Sequence, residues 1–211
     1  MWRQFIVTAV CAAAVFAVAS CSGRDTNSES LTSTPSTTTN ETSRQALPYG
    51  DAPKVQTPLP ESIFSGDPCA DSLTADQIMK TLGKPVDTKR ADAETVGPGC
   101  DWRNTVTTGH AIMRYATKLP DGLSAIYENV KPNALKWEPL TVQGFPAVAY
   151  VSPSGGSPDK FCQVSIGATD NTTIEISGFL SLNSQGKKDP CDAAKSTADL
   201  VMTSLRAKAG V

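Results

Sequence analysis

Six cysteines and one histidine bound the chemistry open to this 211-residue chain. Zinc and dithiol redox sites use closely spaced thiols, and Cys69, Cys100, Cys162 and Cys191 include no C-x-x-C pair. No metal site or redox cofactor is expected. Nucleophilic hydrolysis needs a nucleophile, a base and an orienting group. His110, the only imidazole, follows Thr107-Thr108-Gly109, a turn-like context that predicts an exposed and inert ring. Ser154-Gly155-Gly156-Ser157 reads as flexible loop, and no G-x-S-x-G elbow, phosphate loop or dinucleotide fingerprint is present. Asp101, Glu128, Glu138 and Glu175 could supply a carboxylate pair for glycoside chemistry, but their spacing brings no two together. Glu175 lies between Ile174 and Ile176, so alternation predicts that it points away from both, toward solvent.

The aromatic residues suit binding better than catalysis. Trp102 follows Cys100 by two, which places both on one strand face and packs the indole near a disulfide. Trp137, Tyr127 and Phe145 are expected to line an apolar groove between helix and sheet, where small-molecule sites commonly form.

These residues must be held by a domain that reaches its place through the N-terminus. Residues 1–20 have the layout of a secretory signal, with Arg3 ahead of an apolar run over residues 5–19. About 15 residues is short for a membrane span, which needs about 20. Val18-Ala19-Ser20-Cys21 resembles a bacterial lipobox. That resemblance implies cleavage before Cys21, a diacylglyceryl group on its sulfur, and acylation of the new amino terminus. Two or three acyl chains hold a protein durably, so residence at the extracytoplasmic face of the cell membrane is expected. Without Arg3 the 19 basic residues become 18 against 21 acidic, a net of −3. No basic cluster follows, which argues against a nucleic-acid partner.

Residues 21–60 read as the lipidated cysteine and a disordered linker. Residues 22–60 hold 6 Ser, 8 Thr and 5 Pro, with large apolar side chains scattered singly. Such a stretch does not bury enough surface to offset its ordering entropy, and as a coil it spans roughly 35 Å. Residues 61–211 then read as one compact domain. Helices are predicted over 75–82, 122–130 and 190–209. Thr74 and Gln77 form a capping box for the first, and Gly83 followed by Pro85 ends it. Strands are predicted over 86–89, 100–103, 110–116, 145–151, 161–168 and 173–179, the last two joined by a hairpin turn at Thr169-Asp170-Asn171. This makes an α+β fold with a single antiparallel sheet flanked by helices.

With Cys11 in the signal and Cys21 lipidated, four cysteines remain for two disulfides, and three connectivities are open. Asp67-Pro68-Cys69 and Asp189-Pro190-Cys191 each open a helix, and each can reach a strand cysteine. Pairing Cys69 with Cys100 and Cys162 with Cys191 is favoured, since Cys162 shares a strand face with Val164 and Ile166. Each such loop contributes roughly 3–4 kcal/mol in the chain-entropy picture.

The order Asp67-Pro68-Cys69, Gly99-Cys100-Asp101-Trp102, Phe161-Cys162-Gln163-Val164 and Asp189-Pro190-Cys191-Asp192-Ala193-Ala194, with the lipobox, resembles the actinobacterial lipoprotein family called domain of unknown function 3558. The likeness covers residues 65–211. It implies a cell-envelope lipoprotein and a sheet-and-helix fold like that of PsbP-like binding modules. It transfers no catalytic residue. The expected function is non-catalytic, binding an apolar ligand or docking a membrane-protein partner. The rivals are an envelope hydrolase using paired carboxylates and a purely structural surface protein.

Overall fold

The computed structural model describes residues 45–211. The signal segment, Cys21 and the first part of the linker lie outside the described residues. Two short helices come first, α1 (Pro68–Ser72) and α2 (Ala75–Leu82). Strands β1 (Val86–Arg90), β2 (Gly99–Asn104) and β3 (His110–Tyr115) follow, and then helix α3 (Gly122–Asn129). Strands β4 (Lys136–Val142), β5 (Phe145–Val151), β6 (Phe161–Gly167) and β7 (Thr173–Phe179) lead to the closing helix α4 (Pro190–Ala209). All seven strands form one antiparallel sheet in the order β1-β2-β3-β7-β6-β5-β4. The chain is therefore the α+β fold expected, a single antiparallel sheet with helices against it. Among the described residues no helix is long and apolar enough to cross a membrane.

The helix starts follow from side-chain chemistry. Thr74 Oγ1 accepts from the Gln77 amide at 3.3 Å, and Gln77 Oε1 accepts from the Thr74 amide at 2.7 Å, completing the capping box. Asp67 accepts from the Cys69 amide and Asp189 from the Cys191 amide, both at 2.8 Å, with proline at the first helical turn each time. The Asp-Pro-Cys phrase thus caps a helix and presents a cysteine one step inside it. Cys69 is bonded to Cys100, and Cys162 to Cys191, with Cα separations of 5.1 and 4.9 Å.

One sheet face and α4 make the main core. Trp102, Met113, Val164, Ile166, Ile174 and Ile176 point to this side and are fully buried. From α4, Ala194, Ala198, Val201, Met202 and Leu205 meet them. Gly178 lets the helix approach this closely. A Cβ there would sit 3.0 Å from that of Ala194, beside the Cys162–Cys191 bridge.

Two elements differ from the sequence expectation. Strand β4 has no counterpart in the sequence expectation; Pro139 interrupts its apolar pattern and lacks an amide donor. It forms because β4 is an edge strand, where one side of the ladder needs no partner. The second difference is a correction to the domain boundary, which lies before residue 61. Ala52, Val55 and Leu59 are buried, and the backbone around them is pinned to the domain. Tyr49 N donates to Ser124 Oγ at 3.0 Å, Val55 N to Asp170 Oδ1 at 2.8 Å and Leu59 N to the Ala168 carbonyl at 2.9 Å. Singly scattered apolar residues cannot build a core of their own, but each can dock on one that exists. Leu59→Ala should therefore destabilise the domain by about 2–4 kcal/mol in urea unfolding, the cost of emptying a buried leucine site. An unchanged midpoint would show that this segment is only a tether.

Candidate functional site

The second sheet face lies opposite α4. Alternation turns Gln163 and Ser165 of β6, and Thr173, Glu175 and Ser177 of β7, to this side. Cross-strand register then brings them together. Arg114 of β3 faces Glu175, which faces Ser165; Ser177 faces Gln163, which faces Tyr150 of β5. Helix α3 lies over this polar floor. Its start presses onto the β6–β7 turn, where Gly122 has φ +51° and a Cβ would stand 2.3 Å from the Asp170 carbonyl oxygen. Asp170 thus holds both the start of α3 and, through its side chain, the segment at Val55.

Between α3 and the floor is a cavity of about 470 Å³. Arg114, Tyr150, Gln163, Glu175 and Ser177 contribute polar atoms to it, while Leu119, Pro120, Ile126 and Val130 supply apolar wall. Glu175 is the centre of the floor. It points away from Ile174 and Ile176 as alternation requires, yet it does not reach solvent, being only 9 % exposed. The expectation of an exposed acid is corrected here, because α3 and its flanking turns cover the face that alternation selects. Gln163 Nε2 donates to Glu175 Oε2 at 2.6 Å and Thr173 Oγ1 to Oε1 at 2.5 Å, and the Ser165 hydroxyl also donates to Oε2. Ser165 Oγ lies 3.3 Å from the Tyr150 hydroxyl, which joins the tyrosine to the same network.

Burial pushes the Glu175 carboxyl above its ordinary value, against the opposing effect of the Ser165, Thr173 and Gln163 hydrogen bonds. The Tyr150 hydroxyl is also pushed up, by burial first and then by the Glu175 charge. Among the described residues no cationic side chain pairs with Glu175. Arg114 sits directly across from it on β3, but its Nε donates to the Ala91 carbonyl at 2.9 Å.

The residues expected to line a groove are divided between the two faces. Tyr127 and Trp137 meet edge to face, with centroids 5.0 Å apart, and Trp137 lies 6.0 Å from Tyr150. With Leu123, Val148 and Ala52 they form a small second core that fastens α3 to the sheet. Phe145 is not part of it. Phe145 and Tyr150 are five positions apart on one strand, an odd step, so Phe145 enters the main core on the α4 side. Tyr150 belongs both to this aromatic cluster and to the cavity floor.

Other candidate residues do not converge on the cavity. Glu138 faces α4 and pairs with Lys195 at 2.9 Å, on the opposite side of the sheet from Glu175. Asp101 lies on β2 near Arg103, at 3.5 Å. His110 is half-buried rather than exposed, stacked on Phe179 with centroids 4.0 Å apart, and burial lowers its pKa. Among the described residues no group of three or more His, Cys, Asp or Glu is arranged to hold a metal.

The chain is thus a disulfide-stapled α+β domain with a roofed cavity over a polar floor. The chain belongs to the family described as protein of unknown function (DUF3558), whose match runs over residues 16–204. No curated protein and no solved structure gives a significant match.

Glu175 also affects stability. An unfolded glutamate ionises near 4.5, whereas the buried one holds its proton to higher pH. Above that value the unfolded chain binds fewer protons than the folded one, so stability falls as pH rises toward the folded pKa. Glu175→Gln should flatten this decline in urea unfolding measured from pH 4 to 8, leaving the variant relatively more stable at neutral pH. An identical pH slope in both proteins would show that Glu175 ionises freely in the fold.

Proposed function

We propose that this protein is a cell-envelope lipoprotein, anchored through Cys21 to the extracytoplasmic face of the membrane, whose domain binds a small, largely apolar molecule without transforming it. The cavity beneath α3 carries the reading. Its volume of about 470 Å³ falls within the range of small-molecule sites, and apolar walls from Leu119, Pro120, Ile126 and Val130 stand above a polar floor. The anchoring part rests on Val18-Ala19-Ser20-Cys21 at the end of an apolar run. A non-catalytic role is supported by the separation of Glu138 from Glu175 and by the absence of an imidazole from the cavity lining.

Anchoring is tested by metabolic labelling with an alkyne fatty acid. Wild-type protein should carry the label and sediment with membranes, and Cys21→Ser should lose both properties. Label retained by Cys21→Ser would remove Cys21 from the anchor.

Binding is tested on the unlipidated Cys21→Ser chain, exported and purified oxidised from an envelope-rich host. Native mass spectrometry should show an adduct of defined mass that disappears when Ala125→Trp fills the cavity from α3. A bare protein, or an adduct indifferent to that substitution, would refute the cavity as the site.

A further inference from the structure

We infer that the molecule bound under α3 is an organic cation, an apolar body carrying a protonated amine that seats against the Glu175 carboxylate. This rests on the cavity being the ligand site, and it adds the charge and chemistry of the head group.

Three observations converge. First, the cavity floor holds a buried acid that makes no ion pair among the described residues. Arg114 stands in register across the β3–β7 ladder, where a cross-strand ion pair would be stabilising, but its Nε is held by the Ala91 carbonyl. An acid buried to this degree is retained at a cost unless a positive group completes it.

Second, the neighbouring donors are already directed at that acid. The Gln163 amide and the Ser165 and Thr173 hydroxyls all donate to the Glu175 oxygens. An anionic head group seated at Glu175 would meet a carboxyl whose neighbouring donors are already engaged, with Arg114 across the ladder as its one cationic neighbour in the lining. An ammonium brings three donors and no acceptor, which the Glu175 oxygens can accept. Asp121, at the start of α3, adds a second acid to the cavity wall.

Third, the walls suit an apolar body. Ile126 and Val130 of the α3 segment, with Leu119 and Pro120 from the preceding turn, line the cavity above the acid. Leu119 is 45 % exposed, which extends the apolar surface to the mouth.

The test compares n-hexylamine, n-hexanol and hexanoate, three probes of similar length that differ in charge, titrated calorimetrically into the Cys21→Ser chain at pH 7. Hexylamine should bind about tenfold or more tightly than hexanol, the ratio of one charge-assisted hydrogen bond, and hexanoate weakest. In the added background of Glu175→Gln the amine's advantage over the alcohol should vanish while alcohol binding persists. Ala125→Trp should remove all three.

Hexanoate binding tightest, or an amine preference unchanged by Glu175→Gln, overturns the cation assignment. If hexanol or hexanoate binds and is lost with Ala125→Trp while hexylamine does not bind, the cavity stands as a site and only the cation assignment fails. Binding of no probe, or binding indifferent to Ala125→Trp, overturns both.

Discussion

Ile174 and Ile176 are held against α4, and in an extended strand the residue between them must point the other way. The same holds on β6, where Cys162, Val164 and Ile166 face α4 and leave Gln163 and Ser165 on the reverse side. The main core therefore dictates the polar floor. Every group that surrounds Glu175 from the sheet is there because its neighbours in sequence are needed for packing. The close seat of α4, made possible by Gly178 and secured by Cys162–Cys191, holds these two central strands in one register. Changes to that seat would be felt on both faces.

The two faces are finished in different ways. The α4 face is filled with aliphatic and aromatic side chains and bounded by α1 and α2, with Cys69–Cys100 fixing the helix start to β2. On the reverse face, Leu123 and Tyr127 of α3 join Trp137 and Val148 in the small second core, and the helix start presses onto the Asp170 turn. Ala125, Ile126 and Asn129, on a neighbouring side of the helix, line the cavity. A buried carboxyl network there costs stability that an aliphatic floor would not.

The segment preceding residue 61 links this arrangement to the proposed anchor. Its backbone bonds to Ser124 on α3 and to Asp170 at the turn. Val55 packs near Leu123 above Gly167, at the end of β6. The domain is thus held by its own tether at the point where α3 meets the sheet.

Much of this was legible in the residue order. Thr74 with Gln77, the two Asp-Pro-Cys phrases and the stripe on α4 are local signals, set within one or two helical turns, and α2 and α4 form where those signals place them. Strand alternation assigned Glu175 to the side away from the isoleucines, and the disulfides join each helix-start cysteine to a strand cysteine. What covers a strand face is not a local property. Alternation says on which side Glu175 lies, but only the packing of α3 makes that side an interior. Trp137 illustrates the same limit, since it lies on β4, a strand that Pro139 conceals, and the β4–β5 pairing sets it opposite Tyr150. Leu59 does so as well, because a lone apolar residue in a proline-rich stretch finds burial only on a surface built by distant sequence. Local hydrogen bonding and periodicity decided the elements and their sides. Long-range packing alone decided that two of those sides enclose a space, with a buried acid at its base.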